Sequence, residues 1–151
     1  MKELTSHESI DIQAPPVRVW EILTKLSYMK QWSQLKVTFA GEEELHKDAK
    51  IHWVDDNGDI YCEGTVTDFE PQKKLRVSPQ FTAWKQPVSP KVIASTFTLQ
   101  KDGNKTHLKF SYGDFAKVPD GAQLWEMYLD SIDPTNKELA EIKRLAEDTN
   151  A

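Results

Sequence analysis

The chain has 151 residues, 38% of them apolar and 28% charged, with a formal charge of −5. That length suits one domain with a real core, and the acidic balance with scattered basic residues argues against nucleic acid or an anionic membrane as the main partner. The lone cysteine, Cys62, rules out an internal disulfide and argues against a cysteine-based zinc site.

The N-terminal MKELTSHESI lacks the apolar core of a signal peptide, and no apolar run approaches the roughly 20 residues that span a bilayer. A cytoplasmic protein without membrane insertion is the expectation. Ile10, Ile12 and Ala14 alternate with Asp11 and Gln13, as in a short strand. Pro15-Pro16 then stops the strand and suits the first turn of a helix. Val19, Trp20, Leu23 and Leu26 follow at helical spacing, and Tyr28 to Trp32 forms a second short aromatic helix.

From Leu35 to Tyr112 the period is two. Leu35, Val37 and Phe39 alternate with polar residues, as do Ala49, Ile51 and Trp53. Asn57-Gly58 marks a hairpin, because both residues tolerate the positive φ of a tight turn. Ile60, Cys62, Gly64 and Val66 return as the inward face of the next strand. A turn over 70–74 leads to a short strand around Leu75 and Val77. Residues 79–90 carry three prolines with Phe81 and Trp84, which predicts an irregular excursion. That excursion either covers the mouth of a cavity or caps the open end of the core.

Two longer strands over 92–100 and 106–115 place Ile93, Phe97 and Leu99 on one face and Leu108, Phe110 and Tyr112 on the next. Short connections favour an antiparallel meander. After Pro119-Asp120-Gly121 the period becomes helical again, with Leu124, Trp125, Tyr128, Leu129 and Ile132 as a broad stripe. Asp133-Pro134 reads as a cap, with Leu139, Ile142 and Leu145 beyond it. Gly64 and Gly113 suggest bulges or bends within strands. One α+β domain over residues 1–151 accounts for the pattern: a strand, two short helices, a curved antiparallel sheet and a C-terminal helix packed across it.

That order resembles the helix-grip superfamily of START domains, polyketide cyclases and pollen-allergen-like proteins (SRPBCC). The resemblance rests on Ile10 to Thr24, with Ala14-Pro15 and Val19-Trp20, on the aromatic second helix, on Val66 to Leu75 with its Glu70-Pro71, and on the stripe from Trp125. It is closest to the activator-of-heat-shock-protein-ATPase-like branch, although the N-terminal half of the eukaryotic co-chaperone is not present in this chain. The resemblance implies a curved sheet wrapped around a long C-terminal helix, with a cavity between them for a small apolar or amphipathic molecule. Its expected lining is Trp32, Ile51, Trp53, Cys62, Val77, Phe97, Phe110, Tyr112, Trp125, Tyr128 and Leu129. Acid–base chemistry of the cyclase or aromatase type would use Tyr112, Tyr128 or Asp114. A chaperone partner is a third reading.

Other chemistry finds little support. His7, His46, His52 and His107 show no metal-binding spacing, there is no Gly-x-Ser-x-Gly elbow, and Cys62 reads as a buried inert thiol. Neither a metal nor a tightly held cofactor is expected.

Overall fold

The computed structural model describes residues 4–33, 35–86, 88–131 and 137–148. Its strands are β1 (Ser6–Ile12), β2 (Val37–Thr38), β3 (Lys50–Val54), β4 (Ile60–Glu70), β5 (Lys74–Phe81), β6 (Ala94–Asp102) and β7 (Lys105–Gly113). They form one curled antiparallel sheet in the order β1-β7-β6-β5-β4-β3-β2. Every connection from β2 to β7 joins neighbours, and only β1 is separated in sequence from its partner. The helices are α1 (Pro16–Thr24), α2 (Leu26–Trp32), α3 (Gly121–Ser131) and α4 (Lys137–Glu147), and a 3-10 turn spans Phe115–Lys117. This is the helix-grip architecture that the sequence predicts.

Each strand turns one parity inward. On β1 that parity is Ser6, Glu8, Ile10 and Ile12, facing Tyr112, Phe110, Leu108 and Thr106 of β7. Ile12 and Leu108 are fully buried, and the Thr106 hydroxyl donates to Ala14 O at 2.8 Å, so the polar atom among them is bonded. His7, Ser9 and Asp11 point to the convex face, where His107 Nδ1 meets Asp11 Oδ1 at 2.6 Å. The sheet is kinked by register shifts between Trp53 and Val54 and between Val66 and Asp68. Bulges of this kind curve a strand.

Gly64 is not one of them. A Cβ there would lie 2.7 Å from both Trp53 Cζ3 and Val77 Cγ1. The position is a close approach, with the Trp53 indole laid across the glycine. Gly113 ends β7 at φ +150°, a conformation that favours glycine.

The helix gripped by the sheet is α4. Leu139, Ile142, Leu145 and Ala146 are buried in the same cluster as Ile12, Val19, Ile22, Leu23 and Leu99. The apolar stripe from Trp125, which the resemblance assigned to the gripped helix, instead lies on α3 and packs on the 3-10 turn. The predicted cap at Asp133-Pro134 lies outside the described residues, as does Ile132.

Arg18 joins three helices. It donates to Glu21 Oε1 at 2.6 Å and to the Tyr28 hydroxyl at 3.2 Å, and it caps α4 through Leu145 O at 3.2 Å. Trp32 and Trp20 have different roles. Trp32 is buried, and its indole donates to Ile22 O at 2.8 Å. Trp20 is half-buried and meets Phe69 of β4 edge-on at 5.1 Å. Trp32 therefore holds the helix pair together.

Ile60, predicted inward, is 45% exposed because it sits at the hairpin end of β4, beyond the last inward pair. No helix among the described residues is long and apolar enough to cross a membrane.

Candidate functional site

Two apolar clusters pack the interior. The first is sealed by α1, α2 and α4 and includes Trp32, Ile51, Val77 and Phe97, all buried. The second is built from Trp84, Ile93, Phe115, Val118 and Leu124, with Tyr112, Trp125 and Tyr128 packed against it. Strand register aligns the floor between them. One row runs Ser6, Tyr112, Ser95 and Val77; the next runs Glu8, Phe110, Phe97 and Leu75.

Several residues of these rows are only half-buried: Ser6, Glu8, Ser95, Phe110 and Tyr112. So are Trp53, Trp125 and Tyr128 around them. Together they make a partly accessible band. The sequence-predicted residues accordingly divide into three groups. Trp32, Ile51, Val77 and Phe97 are core, and Phe97 stacks between Trp32 at 5.9 Å and Phe110 at 4.8 Å. Trp53, Phe110, Tyr112, Trp125 and Tyr128 belong to the band. Leu129 is 45% exposed and belongs to neither cluster.

Cys62 is buried on the inward face of β4, and burial pushes its thiol up to about 12. Such a group is a small hydrophobe at neutral pH rather than a nucleophile.

The aromatic side of the band is dense. Tyr112 meets Tyr128 at 4.9 Å, edge to face, and Phe115 at 5.0 Å. Phe115 stacks on Tyr128 at 5.9 Å, and Trp125 lies 5.8 Å from Tyr128. Burial raises the Tyr112 hydroxyl well above the ordinary phenol range, helped by Cys62, Tyr128, Tyr61 and Glu138 nearby. Tyr128 is raised by burial, then by the Glu138 and Glu8 carboxylates, while the Ser6 hydroxyl works against the shift. Both phenols therefore stay protonated at neutral pH and act as hydrogen-bond donors, not bases.

Glu8 and Ser6 are absent from the sequence-predicted lining. The signal was present: the alternation of Ile10 and Ile12, continued two steps back, places Glu8 and Ser6 on the same face. Burial alone raises the Glu8 carboxyl above its ordinary value.

Asp114 leaves the list of acid–base candidates. Its Oδ1 accepts from Leu4 N and Ala116 N, both at 2.9 Å, and so caps the 3-10 turn. Residues 79–81, expected to be irregular, continue β5, and Trp84 beyond them is buried in the second cluster. Trp84 is 9% exposed, its indole donates to Pro119 O at 3.0 Å, and it meets Phe81 edge-on at 5.2 Å. The Gln80 side chain bonds both the N–H and the C=O of Val88, as a neighbouring strand would.

Two open depressions are present. One, about 420 Å³, is lined by His7, Glu8, Ser9, Thr96, Thr98, Lys109, Phe110 and Ser111, and so includes two residues of the band, Glu8 and Phe110. The other, about 630 Å³, lies beside Lys25 and the acidic turn at 42–44. Both are open, and neither is mainly apolar as a hydrophobic site would be. Among the described residues no group of His, Cys, Asp and Glu is arranged to hold a metal ion.

The profile of the family described as activator of Hsp90 ATPase homolog 1-like protein matches residues 13–136. The chain belongs to that family. Solved structures agree on the fold. Protein MLL2253 from Mesorhizobium loti is 20% identical, with a TM-score of 0.71 over 97% of this chain and 99% of its own. The Aha1 dimer from Colwellia psychrerythraea is 20% identical, with a TM-score of 0.64 over 97% and 98%. DynU16, a putative protein in the dynemicin biosynthetic locus, is 18% identical with a TM-score of 0.64; 97% of this chain covers 48% of that one. No curated protein matches the sequence significantly. At these identities the likeness to solved structures is one of fold.

Proposed function

We propose that this family member binds a small apolar or amphipathic molecule on the concave face of the sheet, between the two apolar clusters. The observation that carries this reading is Tyr112. It lies deep enough for burial to raise its hydroxyl strongly, yet it keeps accessible surface, and its neighbours Phe110, Ser95, Glu8 and Tyr128 are half-buried as well. A close-packed interior leaves no such band. Apolar walls with a few placed polar groups are what ligand sites are made of.

Native mass spectrometry after gentle purification tests the reading, together with titration of an apolar fluorescent probe followed by tryptophan emission. The expected result is a co-purified small molecule or saturable probe binding that perturbs the indoles of Trp53 and Trp125. An empty protein with linear, non-saturating probe signal would remove the reading.

A second reading, favoured by the family match over 13–136 and by the fold shared with an Aha1 protein, is interaction with Hsp90. Pull-down with the chaperone and measurement of its ATPase rate test it directly. A cyclase-type reaction in the same cleft would use the protonated Tyr112 or Tyr128 as donor. Binding would survive a Tyr→Phe change at these positions, whereas turnover would fall.

A further inference from the structure

We propose that the ligand of the concave cleft carries an organic ammonium group, held by Glu8 against the accessible ring faces of Tyr112, Tyr128 and Trp125. This rests on the binding reading above and specifies the chemistry of the head group.

Three independent features converge on it. The first is register: Glu8 occupies the inward parity of β1 directly opposite Phe110, with Ser6 opposite Tyr112. A carboxylate is thus inserted into an otherwise apolar wall. The second is that this carboxylate is uncompensated. Among the described residues no ion pair or hydrogen bond joins Glu8 to a cation, although Lys109 and His7, on the opposite parity of β7 and β1, line the same depression as Glu8. A half-buried acid with no partner is costly to keep charged and gains most from an incoming cation.

The third feature is the aromatic side. Tyr112, Phe115, Trp125 and Tyr128 form a continuous ring cluster with centroids 4.9–5.9 Å apart, and three of the four keep accessible surface. Aromatic faces attract cations through the ring quadrupole, most strongly where water is partly excluded. Tyr128 is close enough to both Glu8 and Glu138 for their charges to raise its hydroxyl. A fatty-acid carboxylate brought to the same place would meet like charge. An ammonium meets a carboxylate and ring faces.

The test uses three probes with one tail and different heads: octyltrimethylammonium, octan-1-ol and octanoate, each titrated calorimetrically into the intact protein at pH 7. The ammonium probe should bind at least about tenfold tighter than octanoate and tighter than the alcohol, a preference of about 1.4 kcal/mol. Glu8→Gln should cut ammonium affinity several-fold while leaving octan-1-ol unchanged. Tyr128→Leu, checked for folding by circular dichroism, should reduce the same preference from the aromatic side. Equal affinities for the three heads, or a preference for octanoate, would overturn the ammonium proposal and leave cleft binding standing. No binding of any probe would remove both. An ammonium preference that survives both substitutions would also overturn it, because the cation would then sit elsewhere.

Discussion

The rings of Tyr112 on β7 and Tyr128 on α3 meet edge to face with centroids 4.9 Å apart, tying the helix to the sheet across the candidate cleft. The Tyr112 hydroxyl makes no hydrogen bond among the described residues, so its ring and its oxygen have separable roles. Tyr112→Phe should leave stability within about 1 kcal/mol of wild type, since no bonded partner is orphaned. Tyr112→Leu should lose the aromatic pair and cost more than about 1 kcal/mol. Urea unfolding of both variants checks the difference; equal costs would mean that the ring contact contributes nothing.

Cys62 should resist modification in the folded protein. With its thiol pushed up to about 12, the thiolate fraction at pH 8 is about a thousandfold below that of an ordinary exposed cysteine. Labelling with a disulfide reagent should be slow in buffer and fast in denaturant. Rapid stoichiometric labelling of the native protein would contradict the burial.

Asp114 should supply an acid-sensitive part of the stability. Desolvation is the largest influence on its carboxyl and pushes it up, but the N–H donors of Leu4 and Ala116, with Lys117 nearby, together hold it below its ordinary value. The unfolded chain therefore binds the proton more readily, and the contribution is complete above the ordinary carboxylate range of about 4 and lost as pH falls through the lower folded value. Asp114→Ala should cost about 1 kcal/mol at pH 7, as for other lost caps, with the gap to wild type closing in acid. A gap that widens as pH falls would reverse the sign of the argument.

Gly64→Ala should be among the costlier small substitutions in the sheet. The added methyl would fall 2.7 Å from both the Trp53 ring and Val77, and neither is the free end of a flexible chain. Overpacking of this kind costs about 1–3 kcal/mol. Thermal unfolding and tryptophan emission should both shift; an unchanged midpoint would show that the indole has room to move.

Most of the fold was legible because its signals are local. The alternation of Ile51 with Trp53, the Asn57-Gly58 turn and the proline start of α1 each name an element without tertiary information. The site was less legible for a physical reason. Inward parity identifies a face but not how tightly that face is covered, so Phe97 and Phe110 look alike in sequence although one is packed and the other half-open. Glu8 was overlooked because a charged residue on an inward parity reads as the end of the strand. Trp20 and Trp32 look alike in sequence because helical spacing places both on apolar faces, while only the backbone geometry offers Ile22 O to one of them.

The pairing of Ser6 with Tyr112 also has a consequence for how the protein is made. Among the described residues the strand made first, β1, is an edge of the sheet, and its neighbour β7 is the one made last. Until then β1 must wait unpaired while the β2–β7 meander zips up through adjacent hairpins. Long-range pairings of this type form late. Its alternation of Ile10 and Ile12 with His7, Ser9 and Asp11 puts polar groups on one side of the waiting strand, which disfavours pairing with another nascent chain. The wall that brings Glu8 to the aromatic rings thus comes into being only when the two ends of the sheet-forming chain meet, and any protein truncated before β7 would lack the cleft altogether.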